Sequence, residues 1–332
     1  MADYKGIKGF TIQTIAGDPP APIVGQVWYN TTSNVLKGYV SGTGAWAAAN
    51  DMNLARAENA GAKSGTVTAA LAFGGDAPPS TTPPGYTAET EEYDGTSWSE
   101  VSNLTSVRAA MGSLGTQTAA MCISGNHPSP PNPNLSEIYN GTSWSEVAET
   151  QTRRTYVGGA GTITAGLAAG GSGTISNESW NGSSWSEEAD LNTVRDGSGS
   201  AGTVNTAALV MGGSPPGGLV VTEQWNGTSW SEVGDLNSGR GGFAASFGTS
   251  TSAIAAGGHT GPTPSRSLLT EKWDGTSWTE VGALAVAMRL GAGGGTSSAG
   301  MRADGHPGAG GYSLTSSEWA DPYVAVKTFT SS

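Results

Sequence analysis

The sequence predicts an all-β protein built from a repeated unit of four short antiparallel strands. Three observations predict this. The chain holds 52 Gly and 17 Pro among its 332 residues, and these residues penalise helix interiors by about 1 and 3 kcal/mol relative to Ala. A motif of two aromatic residues around a Gly turn recurs five times, with 41 to 48 residues between copies. A short apolar run that ends in small residues precedes each copy.

The composition also excludes several classes of function. The formal charge is −12 and only 13% of the residues are charged, so the chain has no electrostatic basis for binding nucleic acid or an anionic membrane. The first 20 residues lack the apolar core of a secretion signal, and no run of 18 apolar residues occurs. Cys122 is the single cysteine, so an intramolecular disulfide is excluded.

The repeated motif predicts a strand, a tight turn and a second strand. Asp-Gly and Asn-Gly favour the positive φ angles of hairpin turns, and aromatic residues on both sides favour strands. The five copies are TEEYDGTSWSEV ending at Val101, SEIYNGTSWSEV ending at Val147, NESWNGSSWSEE ending at Glu188, TEQWNGTSWSEV ending at Val233 and TEKWDGTSWTEV ending at Val281. Degenerate copies surround Trp46 and Trp319.

Two further strands are predicted upstream of each motif. The apolar runs, such as AALAFGG from Ala69 to Gly75, predict a strand that is buried on both faces and ends in a glycine turn. Before each run, an arginine followed by small residues predicts a crowded first strand. These arginines are Arg56, Arg108, Arg154, Arg195, Arg240 and Arg289.

Four strands per 40 to 50 residues is the pattern of a β-propeller blade. The small residues suit the inner strand near the axis, and the second tryptophans are predicted to fill the space between blades. These repeat tryptophans are Trp46, Trp98, Trp144, Trp185, Trp230 and Trp278. We predict six blades, the last closed by the N-terminal strand around residues 39–49; a five-bladed ring with irregular ends is the alternative. The predicted divisions are an N-terminal arm at 1–38, the propeller at 39–320 and a tail at 321–332.

The order of arginine, apolar strand, Gly-Gly, aromatic residue and Trp resembles the kelch repeat, whose family includes the propeller of galactose oxidase. The resemblance covers about residues 39–320 and implies a propeller of kelch-like four-stranded blades. Two features depart from it: Ser124-Gly125 replaces Gly-Gly in the second blade, and the DGTSW turn is shorter than the usual kelch connection. The turn is also similar to the sialidase Asp-box, but here Asp and Gly are adjacent.

The segment from Gly17 to Trp46, GDPPAPIVGQVWYNTTSNVLKGYVSGTGAW, carries a second resemblance. It is similar to a segment at the start of structural and tail-fibre proteins of tailed bacteriophages, especially marine cyanobacterial phages. The resemblance implies a hairpin at GQVWYN and a role in the virion. Trp28 and Tyr29 are the residues in this arm that we expect to anchor it on a neighbouring subunit or on the propeller.

Enzymatic chemistry has little support in the sequence. Cys122 lies inside the apolar run AAMCISG, which favours a buried inert thiol over the crosslinked cysteine of galactose oxidase. His127, His259 and His306 follow the second strands of blades two, five and six, which are not all neighbours. We therefore predict no catalytic residue, no metal site and no cofactor.

The repeated charges allow two interpretations. Glutamates recur before the first aromatic residue, from Glu91 to Glu271, and after the second Trp, from Glu100 to Glu280. In the structural interpretation, which a repeated position favours, the arginines pair with glutamates and satisfy loop carbonyls. In the functional interpretation, six guanidinium groups surround the channel mouth and bind an acidic sugar or a carboxylate. The irregular loops 76–86, 126–134 and 259–266 are the further places where a partner could bind.

The sequence therefore favours a non-enzymatic structural protein of a tailed phage. It predicts a propeller on the particle surface, as a tail fibre, receptor-binding or head-decoration subunit, attached through its N-terminal segment. The expected partners are other virion proteins in a multi-subunit assembly and a host surface glycan or receptor, without nucleic acid or membrane insertion. The alternatives are a carbohydrate-binding protein, a carbohydrate-active or oxidising enzyme on the same kelch-type propeller, and a cellular kelch adaptor.

Overall fold

The computed structural model describes residues 12–23, 25–41, 44–78, 85–128, 134–214, 218–261, 265–307, 311–321 and 324–329. All regular structure in these ranges is β-strand, which confirms the predicted all-β class. Within these ranges no helix is long and apolar enough to span a membrane. The chain divides into two compact units, unit 1 with residues 1–44 and 321–332 and unit 2 with residues 45–320.

Unit 2 holds six four-stranded antiparallel sheets among its described residues, an arrangement consistent with the blades of a propeller. We number the sheets 1 to 6 along the chain and the strands first to fourth within each sheet. Sheet 1 comprises Ala60–Gly61, Ala70–Phe73, Thr90–Tyr93 and Trp98–Glu100; sheet 2 comprises Gly112–Thr116, Ala119–Ile123, Ser136–Tyr139 and Trp144–Val147; sheet 3 comprises Gly158–Thr162, Ala165–Ala169, Asn177–Trp180 and Trp185–Glu187. Sheet 4 comprises Gly199–Val204, Ala207–Met211, Thr222–Trp225 and Trp230–Glu232; sheet 5 comprises Ala245–Thr249, Ser252–Ala256, Thr270–Trp273 and Trp278–Val281; sheet 6 comprises Ala292–Thr296, Ala299–Ala303, Ser316–Ala320 and Ala45–Ala49. A short pair, Met288–Arg289 with His306–Pro307, flanks sheet 6.

The predicted hairpin is present between the third and fourth strands. In sheet 1, Tyr93 lies opposite Trp98, and the Asp94 carboxylate accepts hydrogen bonds from the backbone N–H groups of Thr96 and Ser97, each at 2.8 Å. Gly95 has φ of +93°, which an L side chain rarely adopts. The two aromatic rings of each sheet stack with centroids 5.1 to 5.5 Å apart. In sheets 1 to 5 the DG or NG turn joins the two strands of the aromatic pair, whereas in sheet 6 the same pairing of Trp46 with Trp319 forms without a connecting turn.

The first strands lie close enough to one another to require small residues. The Ser113 hydroxyl of sheet 2 donates to the Gly61 carbonyl of sheet 1 at 2.8 Å, and the Ser200 hydroxyl of sheet 4 donates to the Gly159 carbonyl of sheet 3 at 3.1 Å. A Cβ added at Gly159 would lie 2.1 Å from the Ser113 carbonyl oxygen. The close contact between first strands of neighbouring sheets explains why Gly, Ala and Ser predominate in these strands.

Sheet 6 combines distant parts of the chain. Its fourth strand, Ala45–Ala49, pairs with Ser316–Ala320, so that Trp46 lies opposite Trp319. The degenerate motif copies at the two ends of the repeat thus supply the two halves of one hairpin-like pair.

Unit 1 is a four-stranded sheet of Gln13–Ile15, Val27–Asn30, Val35–Ser41 and Val324–Phe329. The first pair is parallel and the others are antiparallel. The segment 321–332, expected to be a tail, thus contributes a strand to this sheet. The Asp18 carboxylate accepts hydrogen bonds from Trp28 at 3.2 Å, Asn30 at 2.8 Å and Lys37 at 2.9 Å, which fixes the loop before the hairpin. The part of the predicted arm at residues 1–11 lies outside the described residues.

Candidate functional site

Five of the six predicted arginines are buried, each in an ion pair with the glutamate on the third strand of its own sheet. Arg108 pairs with Glu137, and the other pairs are Arg56 with Glu91 at 3.1 Å, Arg154 with Glu178 at 2.8 Å, Arg195 with Glu223 at 2.5 Å and Arg240 with Glu271 at 2.7 Å. The exposed fraction of each of these arginine and glutamate side chains is 0 or 1%. These five guanidinium groups are therefore closed to a ligand, and the pairing is the one that the structural interpretation expects.

Each pair also satisfies the backbone around it. Arg195 donates to the carbonyls of Gly212 at 2.9 Å and Val221 at 3.0 Å, which end the second strand and begin the third. The second carboxylate oxygen of Glu223 accepts the backbone N–H of Asn192 at 2.7 Å. Burial lowers the pKa of Arg195, and the nearby Glu223 carboxylate opposes that shift. The pair thus joins the loop before the first strand to the ends of two other strands.

The sixth arginine, Arg289, occupies a different position from the other five. A buried residue precedes each paired arginine by four positions, and the sixth member of that series is Leu284, which places Met288 in the position of the paired arginines. The hydrogen bonds agree, because Gly258 donates to the Met288 carbonyl at 2.8 Å just as Gly213 donates to the Arg240 carbonyl at 2.8 Å. The sequence prediction that aligned Arg289 with the other five arginines was therefore wrong by one residue.

Sheet 6 replaces the ion pair with other groups. Met288 is buried, and Ser317 takes the place of the glutamate on the third strand. Arg302, on the second strand, donates to the hydroxyls of Thr315 at 3.2 Å and Ser317 at 3.0 Å. Burial lowers the pKa of Arg302 to about 10 and raises the pKa of the neighbouring Asp304 carboxyl.

A series of backbone hydrogen bonds links the sheets beside these pairs. We call the six residues involved the collar: Glu58, Ala110, Tyr156, Gly197, Gly242 and Leu290, each with φ between +50° and +60°. Each collar residue lies two positions after the buried arginine or Met288 of its sheet. The N–H groups donate from Gly242 to Gly197, from Leu290 to Gly242, from Glu58 to Leu290, from Ala110 to Glu58 and from Tyr156 to Ala110, at 2.7 to 2.9 Å.

The collar borders an inner cavity of about 80 Å³ between the first strands. Ser113, Ser200 and Ser246 line it together with Lys63, whose amine donates to the Ser246 carbonyl and hydroxyl at 3.3 Å. Burial lowers the pKa of Lys63 to about 8. No carboxylate among the described residues forms an ion pair with Lys63. The cavity is therefore polar, and the Glu58 carboxylate lines it without forming an ion pair with Lys63.

A second pocket, of about 150 Å³, adjoins the collar and is called the side pocket. Its lining includes Tyr156, Asp196, His259, Arg289 and Leu290. Burial lowers the pKa of His259, and the positive charge of Arg289 acts in the same direction. Burial raises the pKa of Asp196 and of Tyr156. The side pocket thus combines one cation, one acid, an imidazole and an aromatic ring.

The three predicted histidine positions do not form a metal site in the described structure. The His259 Nε2 atom lies 3.2 Å from the Ser214 hydroxyl, whereas the His306 Nδ1 atom lies 2.8 Å from the Gly311 carbonyl. Within the described residues, no group of three or more His, Cys, Asp or Glu side chains is placed to hold a metal ion. Cys122 is fully buried, and burial raises its pKa to about 12, which disfavours the reactive thiolate.

Four of the six repeat tryptophans donate a hydrogen bond to another sheet. The Trp144 indole N–H donates to the Thr90 hydroxyl at 3.1 Å, and Trp278 donates to Thr222 at 3.0 Å. Trp98 donates to Ser316 at 2.9 Å, whereas the buried indole nitrogens of Trp185 and Trp230 lack a partner. Trp46, which is partly exposed, donates to Thr270 at 2.9 Å.

The proposed assembly residues of the arm differ in accessibility. Trp28 is fully buried, and its indole N–H donates to the Asp18 carboxylate at 3.2 Å. Tyr29 is half-buried. Residues 79–84, 129–133 and 262–264 of the three irregular loops lie outside the described residues.

The sequence pattern alone did not identify Lys63, Glu58 or Tyr156 as site residues. A signal was present, because Lys63 stands where sheets 2, 3 and 5 have Gly115, Gly161 and Gly248. Comparison with known protein families and with curated proteins found no family model and no protein that matches the chain.

Proposed function

We propose that the chain is a non-enzymatic structural protein of a tailed-phage particle. Unit 2 forms a closed, kelch-like propeller of six blades that is displayed on the particle surface, and unit 1 attaches it to other virion proteins. A host surface glycan or receptor is the outward partner. The six sheets of unit 2 are the blades in this proposal, with Ala45–Ala49 as the strand that closes the last one.

Contacts between sheets 6 and 1 support the closure of the propeller. The backbone N–H of Gly295 donates to the Lys63 carbonyl at 3.2 Å, and that of Gly305 donates to the Arg56 carbonyl at 3.0 Å. The latter repeats the contact that joins Gly213 to Arg240 between sheets 4 and 5. The same type of bond at the junction of first and last sheets supports a ring without free sheet edges.

The observation that carries the role in the particle is the separate construction of unit 1. Its strands Val27–Asn30 and Val35–Ser41 form the hairpin expected from the phage-like segment, and the Asp18 carboxylate fixes the loop before them. The sheet that holds this hairpin lies outside the repeated sheets of unit 2, and we assign attachment to it.

The internal use of the repeated charges supports a non-enzymatic role. Repeated glutamates such as Glu223 and arginines such as Arg195 neutralise each other inside the sheets instead of meeting at a cleft. The repeat thus supplies rigidity, which a displayed platform needs.

Particle purification tests this proposal. Particles from lysates that contain the chain are purified on a density gradient and probed by mass spectrometry, with a non-virion phage enzyme from the same lysate as the control. We expect the chain to sediment with the particles in a fixed ratio to the major capsid protein while the control enzyme is removed. A chain that remains as a free monomer would refute the proposal.

The side pocket favours one second candidate, a carbohydrate-binding or carbohydrate-active protein. Titratable groups of both signs, Asp196, His259 and Arg289, line it beside the collar. Turnover of a glycan by the purified chain would favour the enzyme, and binding without turnover fits both the displayed platform and a carbohydrate-binding protein.

A further inference from the structure

We propose that the side pocket binds a carboxylate-bearing sugar, with the Arg289 guanidinium as the group that recognises the carboxylate. This inference deepens the proposed display of unit 2, on which its biological meaning rests. All residues of the site belong to unit 2.

Arg289 lies one residue beyond the position that the buried arginines of sheets 1 to 5 occupy. In sheets 1 to 5 the residue after the buried arginine is small or acidic: Ala57, Ala109, Thr155, Asp196 and Gly241. In sheet 6 Met288 fills the buried position, and Arg289 follows it directly before the collar residue Leu290. Because the arginine of this repeat comes one residue later, its guanidinium group lies in the side pocket and not inside a sheet.

In the described part of the chain, Arg289 has no carboxylate in direct contact, although its positive charge opposes the rise that burial causes in the pKa of the nearby Glu58 carboxyl. Among the described residues no carboxylate lies within 4.0 Å of the Arg289 guanidinium, whereas the arginines of sheets 1 to 5 are all paired. The Nε atom of Arg289 is shielded from solvent and has no hydrogen-bond partner, as in four of the five paired arginines, but here no carboxylate of the described residues contacts the rest of the group. A half-buried guanidinium is stabilised by an anion that accepts two parallel hydrogen bonds, and a carboxylate has this geometry.

The rest of the side pocket offers both polar atoms and apolar surface. The His259 Nδ1 atom is also shielded and without a partner, while Nε2 is held by the Ser214 hydroxyl. The lining suits a sugar. Tyr156 and Leu290 offer apolar surface to the faces of the sugar ring, and Asp196 and His259 offer polar atoms to its hydroxyl groups.

The volume and the charge of the side pocket limit the ligands that fit it. The side pocket is small, at about 150 Å³, which suits a single ring or a small polar group. The Asp196 carboxylate in the same pocket opposes a doubly charged phosphate, whereas it can accept a hydrogen bond from a sugar hydroxyl. One carboxylate together with hydroxyl groups therefore fits the pocket better than a phosphate does.

Binding by the full chain tests the inference. Glucuronate oligosaccharide and its neutral glucose counterpart are titrated against the wild type, Arg289→Gln and Arg153→Gln, with binding measured by calorimetry and folding checked by thermal melting. Arg153 is exposed, lies outside the side pocket and gives the same change of net charge, so its variant is the matched control. We expect Arg289→Gln to weaken glucuronate binding at least tenfold, Arg153→Gln to leave it unchanged, and the neutral sugar to bind weakly to all three.

Three results would overturn the inference: no binding of glucuronate by the wild type, equal weakening by both variants, or equally tight binding of an acidic peptide. If Arg289→Gln unfolds at a lower temperature than the wild type, Arg289→Lys is tested in its place. This variant retains the charge but loses the bidentate contact, so we expect it to weaken binding by a smaller factor than Arg289→Gln. Because this assay uses the purified chain, it can fail while the chain is found in particles, and the particle test can fail while the sugar binds.

Discussion

The ion pair of Arg195 and Glu223 allows the structural role of the repeated charges to be measured. Sheet 6 shows what replaces such a pair, because Met288 and Ser317 occupy the two corresponding positions. The variants Arg195→Met and Glu223→Ser, alone and together, therefore convert sheet 4 toward an arrangement that the chain already contains.

The structure sets the expected magnitudes. Glu223→Ser leaves a fully buried guanidinium without its carboxylate and removes the acceptor for the backbone N–H of Asn192, so it is expected to cost about 3 to 5 kcal/mol of unfolding free energy. Arg195→Met leaves a buried carboxylate and two strand-end carbonyls without a donor, with a cost of the same order. The double variant has no uncompensated charge, so it is expected to cost about 1 to 3 kcal/mol less than the sum of the single variants.

Chemical denaturation with guanidinium chloride measures these costs through the midpoint and slope of the transition. Glu232→Ser is the matched control, because Glu232 lies opposite Glu223 across the hairpin but is exposed, and its cost is expected to be within about 0.5 kcal/mol of zero. Additive effects of Arg195→Met and Glu223→Ser, or a cost for Glu223→Ser no larger than that of Glu232→Ser, would refute the structural role of the pair.

Three further predictions concern the cavity, the tryptophans and the thiol. Lys63 binds a proton less readily in the folded chain than in the unfolded one between pH 8 and 10.5, so the folded state is penalised at neutral pH and the penalty disappears as the pH rises through this window. Lys63→Met is therefore expected to stabilise the chain by about 1 to 3 kcal/mol at pH 7 and by little at pH 11, and a gain that does not change with pH in thermal melts would contradict this. Trp144→Phe removes the hydrogen bond to Thr90 and is expected to lower the unfolding free energy by about 1 kcal/mol more than Trp185→Phe, whose indole nitrogen has no partner; equal costs in denaturation would count against the inter-sheet bond. Cys122 is expected to react with a thiol reagent at pH 8 only after denaturant is added, and rapid labelling of the native chain would show that the second strand of sheet 2 is accessible.

The sequence predicted the elements that a repeated pattern marks. The pairing of Tyr93 with Trp98 follows from the Asp-Gly turn between them, and the small residues of the first strands recur because neighbouring sheets approach closely, as at Gly159. The all-β class and the four-stranded sheets are therefore confirmed. The number of blades and their closure remain part of the proposal.

The candidate site was harder to predict because it depends on departures from the repeat. Arg289 was aligned by residue type, whereas the four-residue spacing from Leu284 assigns Met288 to the buried position. The bond from Trp28 to the Asp18 carboxylate lies outside the repeat, so no repeated pattern marks it. Likewise, the left-handed backbone of Tyr156 is unusual for an aromatic residue and accompanies the collar hydrogen bond to Ala110.

Cryo-EM of purified particles tests the central claim most directly. The proposal predicts, on the particle surface, a ring of six four-stranded sheets attached through the sheet of unit 1, with Ala45–Ala49 completing the sixth. Particles without this density, while the chain is recovered free from the same lysate, would contradict the account.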